Sequence, residues 1–295
     1  MKKVLLIVNP VSGKVKSKTM LFDIINTMSE NGAIVTTQIT RKSGDATLFA
    51  KKACSENLYD IIVCSGGDGT LKETVSGIIE SENKIPLGYI PGGTTNDYAQ
   101  SLGLTLDVIE ASKKSVTGKV QNIDIGTFNG NFFNYIASFG AFTQTSYTTP
   151  QSLKKHLGHL AYVLSGIKDI GKIKSTHVKF TYDDKVVEDD YIFGAIANTT
   201  SIGGMVHLDE NLVGFNDGVF EVCLVKKPKN PADLVRIVTG AMSSNFKCDR
   251  FDFFKIKDLD IEIDGELDWS LDGEKYTTNG NIKINVIKDA IKMIL

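Results

Sequence analysis

The sequence predicts two domains: an α/β domain built on a parallel sheet over residues 1–124, and an antiparallel β-sandwich domain with helical insertions over 125–295. Three observations predict it. The 295-residue chain has the length of about two domains. Its first part, about 120 residues, alternates short apolar strands with segments of helical period, the pattern of parallel βαβ units. From Gln121 onward, β-rich segments and tight-turn dipeptides dominate. Hydrophobic residues make up 42% and charged residues 23%, the balance of an ordinary globular chain. A net charge of -2 provides no global basic field for nucleic acid. No apolar run approaches the ~20 residues needed to span a bilayer as a helix.

"KVLLIVN" (Lys3–Asn9) reads as the first strand; the apolar run is too short for a secretory segment, and Asn9-Pro10 ends it without a cleavage site. "TMLFDIINTMSENG" has apolar residues at helical spacing, with Gly32 as its stop. "AIVTTQIT" is β-branched and alternating. "GDATLFAKKACSEN" reads as a helix with Asp45 at its N-cap. "DIIVCSG" is a buried strand, "TLKETVSGIIE" a helix opening at Thr70, "IPLGYIP" a strand, and "NDYAQSLGL" the start of another helix. In the second half, hairpins are expected at Asn129-Gly130 and at Asp183-Asp184. "GVFEVCLVKK", "FFKIKDLDIEID", "LDWSLDGEKY" and "NIKINVI" add strands, and helices interrupt at about Ser152–Ile170 and Pro231–Met242. A return of the last ~10 residues to the first domain stays open. The four cysteines (Cys54, Cys64, Cys223, Cys248) form no CxxC pair and fit reduced thiols in a cytosolic protein.

Three loops carry chemistry. "SGGDGT" stands between a buried strand and a helix, the context of a phosphate loop. Gly66, Gly67 and Gly69 allow close backbone approach and positive φ, and the free N–H groups of the helix from Thr70 attract anions. There is no Walker A loop, since "SGK" (Ser12–Lys14) lacks the glycine that should precede it, and the turn is a poor dinucleotide fingerprint, since Lys72 stands where the third glycine belongs and the turn follows the third strand. Asp68 beside phosphate is repulsive unless a cation intervenes, which points to Mg²⁺–nucleotide; a tight turn with Asp68 as a capping acid is the alternative. "NPVSGK" (Asn9, Pro10, Ser12, Gly13, Lys14) follows the first strand, so it belongs on the same sheet edge as a phosphate or nucleotide contact, or as a plain polar loop. "PGGTTND" brings Thr94, Asn96 and Asp97 to that edge, with helix capping as the alternative for Asp97.

"NPVSG", "GGDGT" and "PGGTTND", complete and in order, resemble the diacylglycerol kinase catalytic domain of soluble bacterial lipid kinases. Sphingosine kinases share this domain, and NAD kinases and phosphofructokinases share its fold; the third motif separates the lipid kinases. "DIG" (Asp124–Gly126), "NDGVFEV" (Asn216–Val222) and "LDGE" (Leu271–Glu274) extend the resemblance over the chain. It implies ATP as co-substrate and Mg²⁺ as cofactor, with transfer of the γ-phosphoryl group to a lipid hydroxyl, diacylglycerol first. Sphingoid bases, phosphatidylglycerol, a soluble metabolite such as NAD⁺, and a non-catalytic nucleotide or lipid sensor are the alternatives. The resemblance assigns Thr40, after the second strand, to the nucleotide site with the loops above. It puts the proton acceptor on Glu274, with Asp272 close to metal and phosphates. By strand alternation alone, these two acids share one side and could bind a metal and take a proton; a hairpin turn with solvated acids is the other reading. The resemblance also implies a Mg²⁺ site from the Asp217 carboxylate and the carbonyls of Gly214 and Val219, where a type I turn is the plain reading.

"KKHLGHLAYVLSGIKDIGKIK" (Lys154–Lys174) is a basic amphipathic segment that could rest on an anionic membrane, or pack as a helix with a solvated lysine face. The expected setting is cytoplasmic with peripheral membrane association and no nucleic-acid partner; a homodimer stays open.

Overall fold

The computed structural model describes residues 1–12, 20–94, 96–140, 173–202, 206–207, 213–243, 246 and 248–295. Gly13, Lys14, Thr95 and the expected helix over Ser152–Ile170 lie outside them. The chain forms two compact units, Met1–Ile125 with Lys288–Leu295, and Gly126–Ile287.

In the first unit, β1 (Lys2–Val8), β2 (Ala33–Ile39), β3 (Ile61–Gly66) and β4 (Leu87–Pro91) are parallel, in the order β4-β3-β1-β2. The end of β17 (Ile282–Ile294) adds to β4, with Met293 opposite Leu87. The helices are α1 (Leu21–Glu30), α2 (Asp45–Glu56), α3 (Asp68–Ile79), α4 (Asp97–Ser101) and α5 (Val108–Thr117). Val4, Leu6 and Val8 of β1, with Ile61 and Val63 of β3, pack on Ile24 and Met28 of α1 and on Val108, Ala111 and Val116 of α5. On α3, a Cβ at Gly77 would collide with the Thr47 carbonyl of α2, so the glycine permits these two helices to touch. The strand order reverses beside β1: β2 lies on one side of it, β3 and β4 on the other. Loops leaving β1 and β3 therefore diverge, which opens a crevice at their carboxyl ends.

Local details differ from expectation in three places. Helix α3 starts at Asp68 rather than Thr70, with Gly67 as its N-cap. Asp45 is not the cap of α2: Gly44, at φ 88, takes that position. None of Gly66, Gly67 and Gly69 has positive φ. Close approach accounts for Gly67 instead, since its Cβ would stand 3.3 Å from the Gly93 Cα.

The second unit is antiparallel and β-rich. β5 (Val120–Phe128) enters it and turns through Asn129 and Gly130, both at positive φ, into β6 (Asn131–Phe133). β7 (Ile136–Gly140), β8 (Thr176–Tyr182) and β9 (Lys185–Ala197) follow, with Asp183 and Asp184 at the expected turn, φ 44 and 61. β10 (Ser201–Ile202) pairs with β11 (Val206–His207). β12 (Phe220–Lys226) pairs with β9 and β13 (Phe251–Ile256). β14 (Asp258–Ile263), β15 (Glu266–Leu271) and β16 (Glu274–Asn279) complete the order β16-β15-β7-β9-β8-β14-β17. Between β12 and β13, α6 (Pro231–Met242) occupies the expected residues, capped by the Asn230 side chain accepting from the Asp233 N–H at 3.0 Å. The core is aromatic: Trp269 meets Phe128 edge-on at 4.9 Å between ring centres and Phe139 at 4.8 Å. Among the described residues, no helix is long and apolar enough to cross a membrane.

On the β8–β9 hairpin, His177 places Nδ1 3.1 Å from Asp190 and Nε2 3.0 Å from Glu188, beside the Lys179–Glu262 pair. These two acids raise its pKa above the usual 6.5, Glu188 foremost. A raised histidine contributes stability that is fully present below its unfolded value and lost as pH rises through the folded one. Thermal melts from pH 5.5 to 8.5 should therefore show a small loss above about 6.5 that His177→Gln lacks. Parallel pH profiles for the two proteins would count against this role.

Candidate active site

The crevice at the carboxyl ends of β1 and β3 is built by four loops. The Asn9 N–H donates to the Ser65 carbonyl at 2.9 Å and its side-chain Nδ2 to Thr70 Oγ1 at 2.8 Å, tying the first loop to the glycine turn. Ser12 Oγ donates back to the Asn9 carbonyl at 2.9 Å. The Thr40 N–H donates to the Val8 carbonyl at 2.9 Å, which brings the loop after β2 alongside. The Gly92 N–H donates to the Gly66 carbonyl at 2.7 Å. Asn96 folds over Gly93, accepting from its N–H at 2.7 Å and donating to its carbonyl at 3.0 Å. A Cβ at Gly93 would lie 2.9 Å from the Gly67 Cα, so two glycine backbones cross where no side chain fits. Asp68 Oδ2 accepts from the Asp97 N–H at 3.3 Å.

A cavity of about 660 Å³ lies among these loops, lined by Asn9, Pro10, Ser12, Thr40, Gly67, Gly69 and Thr70 of the expected nucleotide residues. Val11, the variable position of "NPVSG", and Ile39, Arg41, Lys42, Ser43 and Glu73, which no motif marks, complete the lining. Gly66 and Asp68 are chain neighbours of the lining glycines Gly67 and Gly69, and the bonds above tie them to the loop of Asn96 and Asp97, in which Thr94 is exposed. The first turn of α3 contributes N–H groups that an α-helix cannot satisfy with its own carbonyls, together with the positive end of the dipole. Such a cavity favours a phosphate-bearing ligand. Cys64 is no nucleophile here: full burial pushes its thiol up to about 12.

The acids of "LDGE" are arranged otherwise than strand alternation suggests. Asp272 and Gly273 are the two central residues of the β15–β16 hairpin, both at positive φ, and Leu271 pairs with Glu274. Across a tight turn the same-face rule does not apply. Asp272 is buried, and its carboxylate accepts from three successive N–H groups: Asn134 at 2.6 Å, Tyr135 at 3.0 Å and Ile136 at 3.2 Å. Its own N–H donates to the Ile136 carbonyl at 2.9 Å. Glu274, at the start of β16, is exposed. Asp124 of "DIG" is also buried, and it accepts from the Asp289 N–H at 2.7 Å.

At the expected Asp217 set, Lys255 Nζ stands 3.3 Å from Asp217 Oδ2 and 3.0 Å from buried Glu221. Val219 turns its N–H to Asp217 at 3.2 Å, and the Gly214 carbonyl accepts from the Asp217 N–H at 3.4 Å. Burial pushes Glu221 up to about 6 against the pull of Lys255.

Residues 3–128 match the diacylglycerol kinase catalytic domain. The chain is 34% identical over 278 residues to the diacylglycerol kinase of Bacillus subtilis, covering 93% of this chain and 90% of that one. The diacylglycerol kinase of Staphylococcus saprophyticus is 32% identical over 274 residues, with 92% and 89% covered. A solved structure from Bacillus anthracis superposes with a TM-score of 0.82 at 29% identity, over 99% of this chain and 96% of that one. A second from that organism, of a diacylglycerol kinase, gives 0.74 at 26% identity, with the same shares covered.

Proposed function

The chain belongs to the diacylglycerol kinase family, a family of ATP-dependent lipid kinases, and on that premise we propose that it transfers the γ-phosphoryl group of ATP to the free hydroxyl of diacylglycerol, giving phosphatidic acid. The observation that carries this reading is the set of four interlocked loops around a cavity at the first turn of α3. Its N–H groups, the Asn9 and Thr70 side chains and the Ser12 hydroxyl bind and orient the polyphosphate. Asp68 is the residue that would hold Mg²⁺. Among the described residues no three His, Cys, Asp or Glu side chains group closely enough to hold an ion by themselves. One acid on a phosphate-binding turn suits Mg²⁺ carried in by a nucleotide, which supplies most of its own oxygens. What the ion supplies when bound is neutralisation of phosphate charge.

We assign proton acceptance to Glu274. Both oxygens of Asp272 are engaged by backbone N–H groups, and taking a proton there would break that grip. Asp272 then serves to fix the turn that carries Glu274. The lipid substrate resides in a membrane, and Lys154–Lys174, largely outside the described residues, is the proposed surface contact.

The test is transfer from γ-labelled ATP with Mg²⁺ to mixed micelles of diacylglycerol, a sphingoid base or phosphatidylglycerol, and to NAD⁺ in solution. Labelled phosphatidic acid as the main product is expected. Label only on NAD⁺ would mean a soluble-metabolite kinase, and ATP binding with no transfer to any acceptor would mean a sensor.

A further inference from the structure

We infer that Glu73 is a positioning residue for the nucleotide: from α3 its carboxylate fixes the loop Thr40–Ala46, which forms one wall of the cavity. The inference deepens the reading above and rests on it. Glu73 Oε1 accepts from Ser43 Oγ and from the Gly44 N–H, both at 2.9 Å, and Oε2 accepts from the Ala46 N–H at 3.3 Å. The Thr47 hydroxyl donates to the Glu73 carbonyl at 2.9 Å. Gly44, the N-cap of α2, has no side chain to offer its own helix. Glu73 therefore supplies the cap from a neighbouring helix and sets a negative charge at the positive end of α2.

Asp45, which the sequence offers as that cap, works elsewhere. Its Oδ2 accepts from the Arg41 N–H at 2.8 Å and the Lys42 N–H at 3.0 Å, and these N–H groups hold the carboxyl below its usual range. Two carboxylates thus grip one short loop, and its far end is tied by Thr40 to Val8. Arg41, Lys42 and Ser43 line the same cavity as Gly67, Gly69 and Thr70. Glu73 follows Gly69 by four residues and Thr70 by three, so it shares their face of α3. One helix therefore carries both the phosphate turn and the clamp that fixes a second part of the lining. At φ 88 position 44 is suited to glycine and not to a Ser or Asp cap, so the acceptor comes from another element. A charged side chain lining an anion's cavity is a costly substitute, unless its charge is consumed by the N–H donors it organises.

The experiment compares wild type, Glu73→Ala, Glu73→Gln and Ala53→Gly. The last loosens α2 at a buried residue away from the loop. Calorimetric titration with ATP and Mg²⁺, thermal melts, and separate kcat and KM for ATP are measured. Glu73→Ala should raise the ATP Kd and KM about tenfold with kcat within about threefold. Glu73→Gln, which keeps an acceptor for Ser43 and Gly44, should recover most of the affinity, and Ala53→Gly should lower the melting temperature with Kd within about twofold of wild type. An unchanged Kd in Glu73→Ala, or an equal rise in Ala53→Gly, would overturn the inference. If Glu73→Ala does not fold, Glu73→Asp, whose carboxylate is one methylene short of these donors, takes its place, and an unchanged Kd with a lowered melting temperature there would overturn it as well. Because Kd is read without transfer, a wild type that binds ATP and phosphorylates no lipid would sink the kinase reading while leaving the role of Glu73 decided by the variants. A wild type that binds no ATP would overturn both.

Discussion

Asp68→Asn is expected to lower Mg²⁺-dependent turnover by about 10²–10³-fold or more, while the protein stays folded. Asp68 is the first residue of α3 and accepts from the Asp97 N–H. An Asn in its place keeps an oxygen for that bond and loses the charge. There is a competing account of the acid. A carboxylate in the first turn of a helix is favourable to the dipole by about 0.3–1 kcal/mol, with no metal needed. The two accounts part on function. If Asp68 only steadies the helix, the variant loses at most that much stability and keeps its turnover. If it neutralises phosphate repulsion through a cation, ATP binding in the variant should lose its Mg²⁺ dependence, which calorimetry with and without Mg²⁺ reads independently of catalysis. Turnover near wild type at saturating Mg²⁺ would end the metal role.

Much of the fold was legible because its signals are local. Asn129-Gly130 and Asp183-Asp184 are turns that a positive-φ dipeptide dictates wherever it occurs. Asn230-Pro231 opens α6 by capping chemistry that needs no tertiary partner. The clustering of three glycine loops on one edge follows from parallel strands alone. What stayed hidden depends on partners far away in sequence. Asp45 has every local mark of a cap, yet Glu73, nearly thirty residues on, caps α2 from α3 by accepting from the Gly44 and Ala46 N–H groups. Asp124 and the backbone of Asp289 are 165 residues apart. The cation facing Asp217 is Lys255, 38 residues later, which no motif announces. In one place two local signals compete: Asp272-Gly273 is itself a strong hairpin dipeptide, while strand alternation would set Asp272 and Glu274 on one face. The buried Asn134–Ile136 N–H groups that hold Asp272 are invisible in sequence, since a backbone donor has no residue code.

Glu274→Gln and Asp272→Asn should fail in different ways. Glu274 is exposed at the start of β16. An alcohol proton becomes acidic only as its oxygen bonds to phosphorus, so a positioned carboxylate matters in the transition state. Glu274→Gln should lower kcat by about 10²–10⁴-fold, with ATP Kd and melting temperature near wild type. Asp272→Asn keeps one acceptor oxygen, but turns an NH₂ toward N–H groups that need an acceptor. A hydrogen bond to a charged group contributes about 1.5–3 kcal/mol, and at least one of three is lost with its donor left buried, so a destabilisation of about 3 kcal/mol or more is expected. The Asn134–Ile136 segment and the 272–273 turn should loosen together, which denaturant melts and amide exchange at Asn134, Tyr135 and Ile136 would register. Activity should then fall with the folded fraction rather than through kcat of the folded enzyme. A stable Asp272→Asn with kcat lost and Glu274→Gln fully active would make Asp272 the base. If both variants kept turnover in a protein that phosphorylates lipid, the proton would leave by another group, and the acids of this hairpin would serve the turn alone.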